Sequence, residues 1–199
     1  MHNLILHPAL EKELTFLLNN PSKVPPILCF HSVPAQGKTV FAKYLADELA
    51  GDVSYFDANL HLTSKNDYSY IAKEISYRSG FLAVDSNWSK HFKRCFIIDE
   101  WHNFTDVRQD SYKVLFDEVS ERNCLIIICC NTTQGRPINK TLTDAIYSRC
   151  HTINFNITRS QVAEVAAMAK ENFPMLSDDF INKSLPDWRV IHRKVQMKT

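Results

Sequence analysis

The sequence predicts an α/β protein: a five-stranded parallel sheet sandwiched by helices, followed by a small helical unit. Three observations carry this. Short apolar runs recur through the first three quarters of the chain, and they are continuous rather than alternating, as strands buried on both faces are. Helical patterns separate the runs, the order expected of parallel strands joined by crossover helices. From residue 158 onward strand patterns cease and capped helical segments follow one another.

Residues 26–30 (Pro-Ile-Leu-Cys-Phe) read as the first strand, with a helix at about 38–49. Residues 53–56 form a second strand and 68–77 a helix. Residues 94–98 (Arg-Cys-Phe-Ile-Ile) are the third strand, before a helix over 107–120 with Val107, Val114, Leu115 and Phe116 on its apolar side. Residues 125–130 (Leu-Ile-Ile-Ile-Cys-Cys) are the fourth. A helical turn at 142–147 precedes a short fifth strand, 151–155. Thr158 with Gln161 three residues on forms a capping-box pattern, and Val162, Val165, Ala166 and Met168 supply the apolar face of the helix it opens. Pro174 ends that helix, a second starts near Ser177 and a third after Pro186 and Asp187. The domain boundary is expected near residue 156, giving an α/β domain over 1–156 and a helical domain over 157–199.

The 199 residues are 45% hydrophobic, enough to bury a core. A charged fraction of 23% with 12 Phe argues against disorder. The longest apolar stretch, 124–130, is too short to span a bilayer, and the N-terminus has no signal-peptide pattern, so no membrane association is expected. With 23 Lys and Arg against 22 Asp and Glu, the chain is not a uniformly basic nucleic-acid binder, though a local basic patch is compatible with that balance. The six cysteines contain no C-x-x-C pair, so zinc-type spacing is absent. Cys29, Cys95, Cys129 and Cys130 lie in or beside apolar runs, as buried reduced thiols of a cytoplasmic protein do.

After the first strand come Ser32, Val33, Pro34, Ala35, Gln36, Gly37, Lys38 and Thr39, opening a helix. A phosphate-binding loop needs inward-pointing amides, a lysine for the β/γ-phosphates and a hydroxyl for Mg²⁺. Gly37, Lys38 and Thr39 fill these roles, while Ser32 stands where the strict motif has its first glycine. At the end of the third strand, Asp99 can join Thr39 in the Mg²⁺ shell and Glu100 can orient an attacking water. Each feature alone also fits a solvated helix start or turn; together they point to nucleotide binding. Asn131 ends the fourth strand, where it suits either a γ-phosphate sensor or a simple turn.

The segments 95–100, 124–133 and 145–155, with the triplet Ser148, Arg149, Cys150, resemble AAA+ ATPases of the sliding-clamp-loader group. Residues 31–32, 123–124 and 185–189 (Leu-Pro-Asp-Trp-Arg) are most similar to the ATPase subunit of tailed-phage clamp loaders. The resemblance covers nearly the whole chain. It implies a P-loop AAA+ domain with a helical lid, ATP and Mg²⁺ as cofactors, and hydrolysis at subunit interfaces. It implies Arg149 as an arginine finger acting on a neighbouring subunit's ATP, and Arg189 as the lid arginine touching the γ-phosphate of its own subunit. The implied partners are a sliding clamp, other clamp-loader subunits or further copies of this chain, and primer–template DNA gripped through its phosphate backbone. The implied location is the cytoplasm, that of the host cell if the gene belongs to a bacteriophage.

The chain departs from that pattern in four places. Ser32 and Ala35 replace loop glycines, which is expected to weaken or reshape phosphate binding. His102 stands in place of a second acidic residue, and Leu6, His7 and Pro8 are a poor counterpart of the family's adenine-lining element. The sequence ends at Thr199, just after the expected lid, so a collar domain is not expected, and assembly is expected to rest on AAA+ contacts or on another subunit. For DNA, Ser64 and Lys65, and Lys90, Lys93 and Arg94, are candidates that serve equally well as solvated charge. Two further readings stay open: a catalytically inactive AAA+ scaffold lending Arg149 to a partner, and a small P-loop kinase.

Overall fold

The computed structural model describes residues 5–61, 67–80, 90–133 and 137–197. Its helices and strands run α1 (Pro8–Asn19), β1 (Ile27–Ser32), α2 (Lys38–Leu49), β2 (Ala50–Asp57), α3 (Ala58–His61), α4 (Asp67–Gly80), β3 (Phe92–Asp99), α5 (Asp106–Ser111), α6 (Lys113–Glu121), β4 (Cys124–Asn131), α7 (Asp144–Tyr147), β5 (His151–Asn154), α8 (Val162–Asn172), α9 (Asp178–Ser184) and α10 (Trp188–Gln196). The five strands form one parallel sheet in the order β2-β3-β4-β1-β5.

Because successive side chains of a strand point to opposite faces, each continuous apolar run supplies two cores at once. Leu28 and Phe30 of β1, Cys95 and Ile97 of β3, and Leu125, Ile127 and Cys129 of β4 meet α1 and α2 through Leu10, Leu14, Leu17, Phe41 and Leu45. Their alternate neighbours, Cys29, Phe96, Ile98, Ile126, Ile128 and Cys130, meet α4 and α6 through Ile71, Ile75, Phe116 and Val119. Each such side chain contributes roughly 1.5–3 kcal/mol by leaving water. All six cysteines are free thiols, five of them buried and Cys150 half-buried. No described helix is long and apolar enough to cross a membrane.

Several sequence-based expectations need correction. The expected helix over 107–120 is two helices, broken at Tyr112, whose amide closes a tight turn on the Gln109 carbonyl. The buried stripe is Tyr112, Leu115, Phe116 and Val119, at i, i+3, i+4 and i+7, and Val107 and Val114 fall outside it, exposed rather than on the apolar side. The strands extend beyond the contiguous apolar runs: β1 reaches Ser32, β2 begins at Ala50 and β3 at Phe92, because backbone pairing continues there, Ser32 opposite Asn131 and Ala50 opposite Phe92. The fifth strand ends at Asn154, although the Phe155 amide still bonds the His31 carbonyl. The capping box at Thr158 is half formed. Gln161 Oε1 accepts from the Thr158 amide at 2.9 Å, but it caps a turn, and α8 starts only at Val162.

Helix α1 escaped the sequence reading. Its Leu10, Leu14 and Leu17 lie on one helical face, Pro8 occupies its first turn, and His7 Nδ1 caps it by accepting from the Leu10 amide at 3.2 Å. The C-terminal helices close a third core of Val165, Ala169, Phe173, Leu176, Ile181, Trp188 and Ile191, into which Ile5 also packs.

Candidate nucleotide site

The C-terminal ends of β1, β3 and β4 open on one cleft of about 650 Å³. Its walls bring together Pro34, Ala35, Gln36, Gly37, Lys38 and Thr39 from the loop after β1, and Asp99, Glu100 and Asn131 from the other two strand ends. Arg189 joins them from α10. Ser32 and Val33 form the loop's base behind it. A crevice outside the carboxyl ends of parallel strands is where open α/β sheets bind ligands.

The loop achieves its turn without its usual glycines. Gly37 takes φ 86° and Ala35 φ 67°, so a residue with a Cβ adopts the left-handed backbone that glycine takes freely. Two bonds to the helical C-terminal region hold it there: the Trp188 amide donates to the Ala35 carbonyl at 3.3 Å, and Gln36 Nε2 donates to the Pro186 carbonyl. Ser32 has no positive φ and needs no glycine. Its buried hydroxyl instead accepts from Lys38 Nζ at 2.9 Å, and that ammonium also donates to the Ser32 and Val33 carbonyls at 3.3 and 3.1 Å. Burial lowers the Lys38 pKa, with Cys129 and Asp99 pulling the other way. The Val33 amide donates to Asn156 Oδ1 at 2.9 Å, tying the loop to the segment that leads into α8.

Thr39 Oγ1 donates to Asp99 Oδ2 at 2.7 Å, and Tyr55 from β2 donates to the same oxygen at 2.8 Å. Glu100 follows with φ 56°, another left-handed non-glycine residue, and its side chain engages β4. Asn131 Nδ2 donates to Glu100 Oε2 at 3.1 Å. His102 completes the group. Its Nδ1 accepts from the Asn131 amide at 3.1 Å, which leaves the ring proton on Nε2, 3.4 Å from Glu100 Oε2. Burial lowers the His102 pKa and raises that of Glu100, the latter with help from Asp99.

The remaining wall is aromatic: Phe41 and Tyr44 from α2, Trp188 and His192 from α10. Leu6, His7 and Pro8 do not line it. His7 instead approaches Gln161 Nε2 at 3.2 Å, joining the N-terminal segment to the start of α8.

Arg149 lies outside this cleft, on the surface after α7, in a two-pronged ion pair with Asp117. Of the candidate DNA contacts, Ser64 and Lys65 lie outside the described residues. Lys90 donates to the Asp47 carbonyl, and Arg94 lies 3.8 Å from Asp52. Sequence reasoning missed Tyr55, the bracing of the loop by residues 186–188, and the aromatic wall. Only the Trp188 neighbourhood had a signal, in the run 185–189.

No protein-family model and no curated protein matches the chain. Solved structures do. The Thermotoga maritima RuvB Holliday junction branch migration motor aligns over 96% of this chain and 61% of its own, with a TM-score of 0.61 and 16% identity. The FIGL-1 AAA domain in complex with ADP aligns over 91% and 64%, at a TM-score of 0.59 and 12% identity. A DNA polymerase III gamma subunit-related protein of Thermotoga maritima aligns over 92% and 57%, again at 0.59 and 12%. The chain thus spans about 55–64% of the solved chains it matches. At these identities the likeness is one of fold alone: a five-stranded parallel sheet with flanking helices and a helical C-terminal region, shared with the FIGL-1 AAA domain and with RuvB.

Proposed function

We propose that this chain is an ATP-hydrolysing AAA+ subunit of a sliding-clamp loader. The observation that carries the ATPase part is the convergence of Lys38, the Thr39–Asp99 pair and the Glu100–Asn131 pair in a single cleft. Lys38 exchanges its loop acceptors for the β/γ-phosphates, and the loop amides and Gly37 face the same phosphates. A hydroxyl and a carboxylate side by side are hard oxygen donors that suit Mg²⁺, with the phosphates completing its shell. An ion held by Thr39 and Asp99 would offset phosphate charge. Because Asn131 and His102 both address Glu100 Oε2, the other carboxylate oxygen is left for the attacking water. Arg189, exposed at the cleft rim, reaches the γ-phosphate from the lid. The aromatic wall receives the base.

The clamp-loader part is supported by the Ser148, Arg149, Cys150 triplet and the run 185–189, and by a fold shared with a protein described as DNA polymerase III gamma subunit-related. Arg149 serves the neighbouring subunit's ATP in trans. The partners are other loader subunits or further copies, a ring-shaped clamp, and the phosphates of primer–template DNA. The domain division at residue 156 and a phage origin belong to the same reading.

The test is Mg²⁺-ATP turnover by purified protein over a concentration series, with and without primer–template DNA. Turnover that rises with both supports a trans-acting motor. ATP binding without turnover, even with a clamp and partner subunits added, favours the alternative, an inactive scaffold that supplies Arg149 to a partner. No ATP binding overturns the proposal.

A further inference from the structure

Arg149 is held on two sides before any partner arrives. Its Nε and Nη2 donate to the two carboxylate oxygens of Asp117 on α6, at 2.8 and 2.9 Å. Its Nη1 donates to the Ala145 carbonyl, one helical turn back, at 2.8 Å. A guanidinium carries five N–H bonds in a rigid plane, so these three contacts leave one N–H on each terminal nitrogen.

Most surface ion pairs hold nothing in place, since two long side chains lose rotamer freedom for a weak, screened attraction. A short bidentate arginine–carboxylate pair is the exception, because both partners are planar and the geometry is fixed. Here Asp117 projects from α6 at more than half exposure. It fills no core space, and among the described residues its partner is Arg149. Arginine 149 needs such a hold, standing half-buried just beyond the four-residue α7.

We propose that Asp117 is a positioning residue for Arg149, fixing its guanidinium so that the two remaining N–H bonds face a phosphate of an adjoining subunit. This rests on the trans reading of Arg149. The carboxylate does not touch the phosphate. It removes the rotamer search that an untethered arginine would make at the moment of hydrolysis, and it acts only in the transition state, where the finger acts.

The test mixes two chains. The acceptor carries Arg149→Ala and keeps its own cleft; the donor carries Glu100→Gln and keeps its finger. Turnover in the mixture reports the donor's Arg149 at the acceptor's site. Adding Asp117→Ala to the donor is expected to lower kcat by roughly tenfold with KM unmoved, a part of the full arginine-finger effect. Asp117→Glu on the donor, which keeps a two-oxygen acceptor, is expected to restore most of it. Thermal denaturation of the donor checks that the fold persists, and Asp117→Asn supplies a second variant of equal size. Equal kcat for donors with and without Asp117 overturns the positioning role while leaving the trans reading intact. No turnover in the mixture with Asp117 present overturns the trans reading, and the positioning role with it.

Discussion

Ala35 offers a clean measure of how this loop is built. At φ 67° its Cβ crowds the backbone, a cost of about 1–2 kcal/mol that glycine does not incur. Replacing it by glycine also frees the unfolded chain, which lowers stability by about 0.4–1 kcal/mol. The difference leaves Ala35→Gly more stable by about 0.5–1 kcal/mol. For a chain of this size that is a rise in Tm of roughly 1–4 °C. The bonds from Trp188 and Gln36 involve backbone and neighbouring atoms that the substitution does not touch. Gly37→Ala, at φ 86°, is the opposing control and should lower Tm. Calorimetry of both variants without nucleotide reads the difference. A fall in Tm for Ala35→Gly would show that Ala35 does not carry the strain, and the account of how the loop does without its glycine would fail.

Three further outcomes follow from the same geometry. Lys38→Ala should weaken ATP binding by at least about tenfold, since a charge-assisted hydrogen bond contributes about 1.5–3 kcal/mol; titration with a fluorescent ATP analogue measures it, and unchanged affinity would remove Lys38 from the phosphate site. His102→Ala leaves the Asn131 amide without its acceptor and should destabilise the fold by about 1–3 kcal/mol, while His102→Asn, which keeps an acceptor near the Nδ1 position, should recover much of that in a denaturant titration. Burial and the nearby Lys38 hold the His31 pKa at about 4, below its ordinary 6.5, so the neutral ring's contribution is complete above pH 6.5 and declines as pH falls toward 4. Discounted for partial exposure, the loss is on the order of 1–2 kcal/mol, and His31→Gln should flatten that part of a stability-against-pH curve.

The parts of this molecule legible in the sequence are those where one physical signal dominates. β1, β3 and β4 are buried on both faces, so their apolar runs are unbroken, and α2 begins where Gly37 turns the chain and ends at Leu49. The phosphate loop and the Asp99–Glu100 pair are contiguous motifs, and the structure brings both to one cleft. What stayed hidden depends on contacts between distant positions. The bond from Gln36 to Pro186 joins residues 150 positions apart, and the Arg149–Asp117 pair spans 32. Likewise, no local pattern marks Tyr55 as a partner of Asp99, because that pairing depends on β2 lying beside β3. Val107 and Val114 misled for another reason: they are apolar, but at 3.6 residues per turn they fall off the face that Tyr112, Leu115, Phe116 and Val119 share, and both are exposed. Helix α1, by contrast, had a readable stripe in Leu10, Leu14 and Leu17, with Pro8 marking its start.

The central claim is that this cleft hydrolyses ATP with Glu100 as the residue that activates water. Glu100→Gln tests it most directly, because glutamine keeps the size of the side chain and an oxygen for Asn131 but cannot take a proton. Binding of Mg²⁺-ATP and its turnover would be measured side by side on the variant and the unmodified chain. Retained binding with turnover reduced at least about a hundredfold is the expected result. Turnover equal to that of the unmodified protein would contradict the account and remove Glu100 from the chemistry.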